Sequence, residues 1–145
     1  MSRNTWAGSV LAALLGVLVP GAPVAAAELM ADFNIGRFRV FDGPGGKAAL
    51  ADPQGFTLYT FAKDDFEQST CVDACAQEWL AAIATPEDRG GFESFSVFIR
   101  ADGTRQWAYE GKPLYRYVKD TAPGQVSGEG ADGAWHIVAI SAHAM

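Results

Sequence analysis

One seven-residue segment occurs twice in this chain, as LYTFAKD at residues 58–64 and as LYRYVKD at residues 114–120. The copies are 56 positions apart and are identical at four of their seven positions. In both copies aromatic residues occupy alternate positions, which is the pattern of a β-strand with two different faces. Turn-forming residues precede each copy, at 52–55 and at 110–113. We therefore predict that each copy is a strand in a hairpin or meander.

Other residues repeat with the same spacing as this segment. The offset of 56 positions also relates Gly55 to Gly111 and Trp79 to Trp135. A glycine, a heptapeptide and a tryptophan that repeat in one register are better explained by an internal duplication than by chance. We expect two repeats, at about residues 47–84 and 101–140, that fold into a single pseudo-symmetric, β-rich domain.

The rest of the chain supplies further strands and one helix. Additional strands are predicted at residues 38–41, 48–51, 95–100, 105–109 and 135–140. Residues 72–83 are rich in Ala, Glu, Gln and Leu, which favours a helix with Ser69, Thr70 or Asp73 as its N-cap. The matching segment of the second repeat, 121–133, contains five Gly and Pro residues and is predicted to be a loop. The predicted fold class is α+β and mainly β, with duplicated antiparallel strand or hairpin units and one short helix between them.

Residues 1–27 have the three parts of a secretory signal peptide. Arg3 supplies the positive charge, an apolar run follows at 6–19, and three alanines at 25–27 offer a cleavage site after the second or the third. The apolar run is shorter than the roughly 20 residues that span a bilayer as a helix. We therefore expect a mature domain at residues 28–145 that is periplasmic or secreted and keeps no stable membrane anchor.

The composition fits a folded globular protein, because 49% of the 145 residues are hydrophobic and 19% are charged. Seventeen acidic and eleven basic residues give a formal net charge of −6 at pH 7. This charge repels a phosphate backbone, so nucleic-acid binding is excluded as a function class.

Three groups of residues together resemble a known family. They are the two Tyr-x-aromatic-x-x-Asp motifs, the segment CVDAC at residues 71–75 followed by Trp79, and the segment GKPLY at residues 111–115. In this order they are similar to the bacterial secreted-repeat lipoproteins, over about residues 47–140. The resemblance implies an extracytoplasmic protein and supplies no activity. No cysteine follows the apolar run closely, so the lipid attachment of such lipoproteins is not expected in this chain.

The two cysteines of the chain, Cys71 and Cys75, are predicted to form a disulfide. Export places them in an oxidising compartment, where an even number of cysteines usually pairs. A spacing of four on a helix keeps their Cα atoms within the roughly 4.4–6.8 Å that a disulfide spans. A redox-active dithiol is the alternative, although thioredoxin-like motifs have two intervening residues rather than three. Covalent haem is not expected, because Ala76 stands where a ligating histidine would follow.

The repeated motifs supply the candidate ligand-binding residues, since aromatic faces with polar groups can stack on a planar ligand or a sugar. The candidates are Tyr59, Phe61, Asp64, Tyr115, Tyr117 and Asp120. The alternative interpretation is structural. Aromatic residues at alternate strand positions usually fill a core, and the two aspartates would then bond nearby backbone amides at the strand ends.

Metal binding and catalysis have little support in the sequence. His136 and His143 are the candidate metal ligands, but a zinc or copper site needs three or four convergent ligands, which oxidised cysteines would not supply. No serine-hydrolase elbow and no metalloprotease helix motif occurs, so no catalytic residue and no cofactor is assigned.

These observations predict an exported cell-envelope protein that acts as a non-enzymatic binding or structural module. Its partner would be a small ligand or an envelope component. The alternative function is a periplasmic redox or electron-transfer protein that uses the Cys71 and Cys75 pair, or a bound metal or haem.

Overall fold

Strands dominate the structure, a computed structural model that describes residues 33–140. The strands in this range are β1 Phe33–Ile35, β2 Phe38–Asp42, β3 Ala48–Ala51, β4 Tyr59–Phe61, β5 Trp79–Ala81, β6 Phe95–Ile99, β7 Arg105–Tyr109, β8 Lys112–Pro113, β9 Tyr115–Tyr117 and β10 Trp135–Ile137. One α-helix, α1 Ala74–Glu78, and two 3-10 turns at Pro44–Gly46 and Ala131–Gly133 complete this part of the chain. The predicted α+β, mainly β class is confirmed. The proposed signal peptide and His143 lie outside the described residues.

All strand pairs of the three sheets are antiparallel. One outer sheet has the order β1-β2-β3 and the other has the order β6-β7-β8. When 56 is added to their residue numbers, β2 and β3 correspond to β6 and β7 with a shift of about one residue. Each repeat therefore contributes one outer hairpin.

The central sheet joins the two repeats. Its order is β10-β4-β9-β5, and β4 meets β9 at the pair Tyr59 and Tyr115. The 56-residue offset exchanges β4 with β9 and β5 with β10, so a pseudo-two-fold axis passes between these tyrosines. Strands of the first and second repeat therefore alternate across the sheet, and neither repeat can build it alone.

Two hydrophobic clusters form the core on either side of the motif strands. Leu58 and Leu114 belong to one cluster, and the adjacent Tyr59 and Tyr115 belong to the other. This division follows from the alternation of side chains along a strand. None of the helices in residues 33–140 has the length and hydropathy needed to cross a bilayer.

The helix predicted over residues 72–83 is wrong for most of its length. Only Ala74–Glu78 is helical, and Trp79–Ala81 forms β5, whose register places Trp79 opposite Tyr117. Strand pairing and the burial of Trp79 override the local helix propensity of this segment. Asp73 occupies the N-cap as one of the three expected residues, but its side chain makes no capping bond.

The other predicted strands are mostly confirmed. Ala48–Ala51 and Arg105–Tyr109 have the predicted bounds, and the strand expected to reach Ile140 ends at Ile137. Beyond Ile137 the pairing continues only as an isolated bridge between Ala139 and Ala49. The sequence pattern does not predict β1, β5 and β8, because all three are at most three residues long and β5 also has a helical composition.

Candidate functional site

The tyrosine and aspartate of the repeated motif bond across the two repeats. The Tyr59 hydroxyl donates to Asp120 Oδ2 at 2.6 Å, and the Tyr115 hydroxyl donates to Asp64 Oδ2 at 2.6 Å. The antiparallel crossing at the two tyrosines explains this exchange, because it carries the end of each motif strand past the start of the other. The spacing of the motif therefore allows two reciprocal bonds between the repeats, Tyr59 to Asp120 and Tyr115 to Asp64, which we call the clasp.

The second oxygen of each carboxylate fixes the loop that follows its own motif. Asp64 Oδ1 accepts hydrogen bonds from the Thr70 backbone N–H at 2.7 Å and from the Thr70 hydroxyl at 2.8 Å. Asp120 Oδ1 accepts the Ser127 backbone N–H at 2.9 Å. The predicted bonding of these aspartates to nearby backbone amides is confirmed.

Four rings form a continuous pile along the repeat interface, which we call the aromatic stack: Phe61, Trp135, Trp79 and Tyr117. Neighbouring ring centroids in this order are 4.3, 3.8 and 4.2 Å apart, and the two indoles lie within 1° of parallel. Tyr59 meets Trp79 edge-on at 5.3 Å, and Tyr115 meets Trp135 edge-on at 5.1 Å. The 56-residue offset maps this arrangement onto itself, so the two tryptophans have equivalent positions.

The structure brings the six candidate ligand-binding residues together but buries most of them. Tyr59 and Tyr115 are 0% exposed, Asp120 is 5% exposed and Tyr117 is 8% exposed. Phe61 and Asp64 are half-buried, and both line a surface cavity. Among these six candidates, contact with a ligand in this conformation is therefore confined to Phe61 and Asp64 of the first copy.

Burial has an electrostatic consequence for the two clasp tyrosines. Desolvation raises the pKa of the Tyr59 phenol well above its ordinary value, and the hydrogen bond to Asp120 raises it further. Desolvation and the bond to Asp64 act in the same direction on the pKa of Tyr115. Both phenols are thus held protonated in the folded state.

Stability is expected to fall steeply in alkaline solution. In the unfolded chain a tyrosine loses its proton above its ordinary pKa of about 10, whereas the folded clasp retains it, so the stability present below that pH is lost as the pH rises. Each tyrosine contributes a loss of about 1.4 kcal/mol per pH unit. Urea unfolding followed by circular dichroism at several pH values measures this slope. A Tyr59→Phe variant should show a shallower slope, and an unchanged slope would contradict the assignment.

The repeated glycines mark the places where each repeat touches the loop of the other. Gly55 and Gly111 have φ values of +91° and +76°, a region that disfavours other residues. The Gly55 carbonyl accepts the Gly124 N–H at 3.1 Å, and the Gly111 carbonyl accepts the Glu67 N–H at 2.6 Å. A Cβ at Gly111 would lie 2.1 Å from the ring of Phe66. Their matched spacing therefore reflects turn geometry and close backbone contact.

The disulfide between Cys71 and Cys75 is confirmed, with Cα atoms 5.2 Å apart. Cys71 is 1% exposed and belongs to the same buried cluster as the two stacked tryptophans. The bond lies between the first motif and β5, where it restrains the loop that carries the Asp64 contacts. In the second repeat no cysteine occupies this loop, and Gly128 packs there directly against Trp79.

A family model described as a secreted repeat of unknown function matches the chain twice, at residues 44–83 and 96–139. The chain belongs to this secreted-repeat family. Each match contains one copy of the motif and one stacked tryptophan, so the two secreted repeats coincide with the pseudo-symmetric halves of the central sheet. No curated protein and no solved structure matches the chain significantly. The family resemblance seen in the sequence is confirmed, and an extracytoplasmic location fits this secreted repeat.

Sequence reasoning missed two surface grooves of the secreted repeat, because each is assembled from segments far apart in the chain. The acidic groove, a cavity of about 390 Å³, is lined by residues 60–62, Asp64, residues 109–110, Lys112 and residues 136–139. The arginine groove, of about 200 Å³, contains Arg37, Asp52, Gln54 and Arg116. The 56-residue offset relates Thr60 to Arg116 and Glu110 to Gln54, so the grooves are equivalent in position and different in charge.

The grooves also differ in how their charged groups are paired. In the arginine groove, Arg116 lies 3.3 Å from Asp52, and Arg37 pairs with Asp88. In the acidic groove, the side chains of Glu110 and Lys112 make no hydrogen bond and no ion pair among residues 33–140, and only their backbones are bonded. These two side chains are therefore available to a ligand.

The metal candidates are not brought together. His136 Nδ1 lies 3.1 Å from Glu129 Oε1 at the surface. Within residues 33–140 no three His, Cys, Asp or Glu side chains are placed to hold a metal ion.

Proposed function

We propose that the protein is an exported, non-enzymatic binding module that takes an uncharged or cationic sugar in the acidic groove. The observation that carries the proposal is the meeting of unpaired polar side chains and aromatic surface at one cavity. Its volume of about 390 Å³ lies within the range of small-ligand sites. Hydroxyl and amino groups of a sugar would bond to Glu110 and Thr60, which line it.

Phe66 supplies the apolar part of the proposed site. Its ring packs on Gly111, the residue between Glu110 and Lys112 of the groove wall, so it lies next to the cavity rather than in its lining, and Phe66 is 77% exposed. A large exposed aromatic ring beside a polar cavity is typical of surfaces that stack on the apolar face of a ligand. The single Phe in the polar loop 62–70 is the sequence signal that could have identified it.

Charge favours the same class of ligand. The groove has two carboxylates, Asp64 and Glu110, against one lysine, Lys112, and the whole chain carries a net charge of −6. Anionic polymers are therefore repelled at long range, whereas neutral and amino sugars are not.

Binding of a chitin or chitosan trisaccharide to the purified mature protein tests this function. We expect Phe66→Ala and Glu110→Gln each to weaken the Kd by about tenfold, the worth of one hydrogen bond to a charged group or one ring contact. Calorimetry gives the Kd, and NMR shift changes locate the site. Ile99→Ala is the matched control, because Ile99 is 73% exposed and lies on β6. If neither sugar shifts the groove resonances, the proposal is wrong.

The disulfide is assigned a structural role in this proposal, and the redox function remains the alternative. The burial of Cys71 supports the structural role, since thiol exchange requires access to a sulfur atom. Cys75 is only half-buried, so attack at that sulfur is the route that a redox function would use.

A further inference from the structure

We propose that the aromatic stack and the two clasp tyrosines form a one-electron donor site that reduces organic peroxyl radicals at the protein surface. This activity is independent of sugar binding. It rests on three features of the repeat interface: contact between the rings, a proton acceptor at each clasp phenol, and one oxidisable ring at the edge of the stack.

The first feature is an unbroken path of aromatic rings. From Tyr117 through Trp79 to Trp135 the centroids are 4.2 and 3.8 Å apart, and both tryptophans are at most 3% exposed. Tryptophan and tyrosine are the side chains that lose an electron most readily after cysteine, and the cysteines are bonded to each other. An electron vacancy formed at one end therefore moves through rings in van der Waals contact without meeting water.

The second feature is a carboxylate at hydrogen-bond distance from each clasp phenol. A tyrosine that loses an electron becomes a strong acid and must release its proton. Tyr59 has Asp120 Oδ2 at 2.6 Å, and Tyr115 has Asp64 Oδ2 at 2.6 Å. The proton moves along this hydrogen bond to the carboxylate and remains there. When the tyrosyl radical is reduced, the proton returns to the phenol.

The third feature distinguishes the two ends of the stack. The offset of 56 places Tyr117 at one end and Phe61 at the other, and only the tyrosine is readily oxidised. The Tyr117 hydroxyl lies 3.4 Å from Glu78 Oε1, and the Glu78 side chain is 48% exposed. At 8% exposed, Tyr117 is also the most accessible oxidisable ring of the stack. Oxidising equivalents therefore enter at Tyr117, whose proton moves to Glu78 and returns when Trp79 reduces the ring again, and they then move inward to the clasp.

One turnover at the clasp of the first repeat transfers one electron. A peroxyl radical takes this electron from the stack and one proton from water, and becomes a hydroperoxide, which leaves one hydroxide ion in solution. Tyr59 gives one electron to the oxidised Trp79, which is restored, and gives its proton to Asp120, so a neutral tyrosyl radical faces a protonated carboxyl group. A hydroquinone in solution then returns one electron and becomes a semiquinone, and the proton that it releases neutralises the hydroxide. The proton on Asp120 moves back to the phenolate oxygen of Tyr59, so the net reaction converts a peroxyl radical and a hydroquinone into a hydroperoxide and a semiquinone.

Laser flash photolysis of the mature protein tests the proposal, with tris(bipyridine)ruthenium(III), formed with a cobalt(III) ammine quencher, as the one-electron oxidant. We expect tryptophan radical absorption to decay into a tyrosyl signal that outlives that of free N-acetyltyrosinamide. The double variant Tyr59→Phe with Tyr115→Phe should lose the long-lived signal. Tyr109→Phe is the control and should retain it, because Tyr109 contacts Phe95 outside the stack.

A second variant keeps the test decisive if the double variant does not fold. Tyr117→Phe removes only the hydroxyl at the edge of the stack and should slow the appearance of the tyrosyl signal several-fold. Peroxyl radicals from a thermal azo initiator should be consumed faster by the wild type than by this variant. A long-lived signal that persists in the double variant, or that disappears in Tyr109→Phe, would overturn the proposal, as would equal peroxyl consumption by wild type and Tyr117→Phe.

Discussion

Replacement of Trp135 by alanine is expected to lower the free energy of unfolding by about 3–5 kcal/mol, the usual cost of removing a large aromatic side chain from a core. Trp135 is 2% exposed and contacts Phe61, Trp79 and Tyr115 through its ring. Its removal leaves a cavity at the centre of the aromatic stack, between Phe61 and Trp79. Thermal unfolding should show a midpoint lowered by about 10–20 °C for a domain of this size.

The pseudo-symmetry provides the matched variant for this prediction. Trp79 is 3% exposed and is related to Trp135 by the 56-residue offset, so Trp79→Ala should cost the same within about 1 kcal/mol, the usual scatter between sites. Leu80→Ala is the surface control, because Leu80 is 44% exposed on the next position of β5. A large loss at one tryptophan and a negligible loss at the other would show that the two repeats do not share one packing arrangement.

The duplication could be predicted from the sequence, because a 56-residue offset joins the motif, a glycine and a tryptophan in one register. The β3 and β7 bounds also follow from local pattern. The partner of each motif aspartate could not be predicted. The spacing of residues along one strand gives no information about which strand is its neighbour. The clasp forms because β4 and β9 pair at Tyr59 and Tyr115.

The helix predicted over residues 72–83 is wrong for a different reason: its local helix propensity is clear, but long-range contacts override it. Residues 76–81 read AQEWLA, and most of these residues favour a helix in isolation. The chain leaves the helix at Trp79 because that ring is buried against Trp135 and its backbone pairs with Tyr117. Long-range pairing of this kind has no counterpart in the periodicity of a short window.

The sequence predicts residues that meet at the repeat interface, and their role in ligand binding stays a prediction. All six proposed ligand-binding residues lie at the repeat interface, yet their burial ties four of them to the core. The surface that remains for a ligand comes from three separated segments, of which only the first, residues 60–62 with Asp64, belongs to the motif. Composition indicates which residues are aromatic or acidic, whereas exposure is decided by the strand order of the central sheet.

Replacement of the motif aspartates is expected to give unequal losses of stability despite their symmetry. Asp120→Ala should cost about 3 kcal/mol, because it leaves the buried Tyr59 hydroxyl and the Ser127 N–H without their acceptor. Asp64→Ala should cost about 1–2 kcal/mol, since the Tyr115 hydroxyl keeps a partner in Ser69 Oγ at 2.6 Å and water reaches this half-buried site. Urea unfolding at neutral pH measures both values.

A double-mutant cycle separates the clasp bond from the other contacts of Asp120. If the hydroxyl of Tyr59 is the main group stranded by Asp120→Ala, then adding Tyr59→Phe should restore about 1 kcal/mol or more, because the unsatisfied donor is gone. Adding Tyr115→Phe instead, which lies in the other clasp, should restore nothing. The competing interpretation of the motif is a ligand site. An Asp120→Ala protein with unchanged stability and abolished sugar binding would favour that interpretation, since a core clasp and a binding group respond to this substitution in opposite ways.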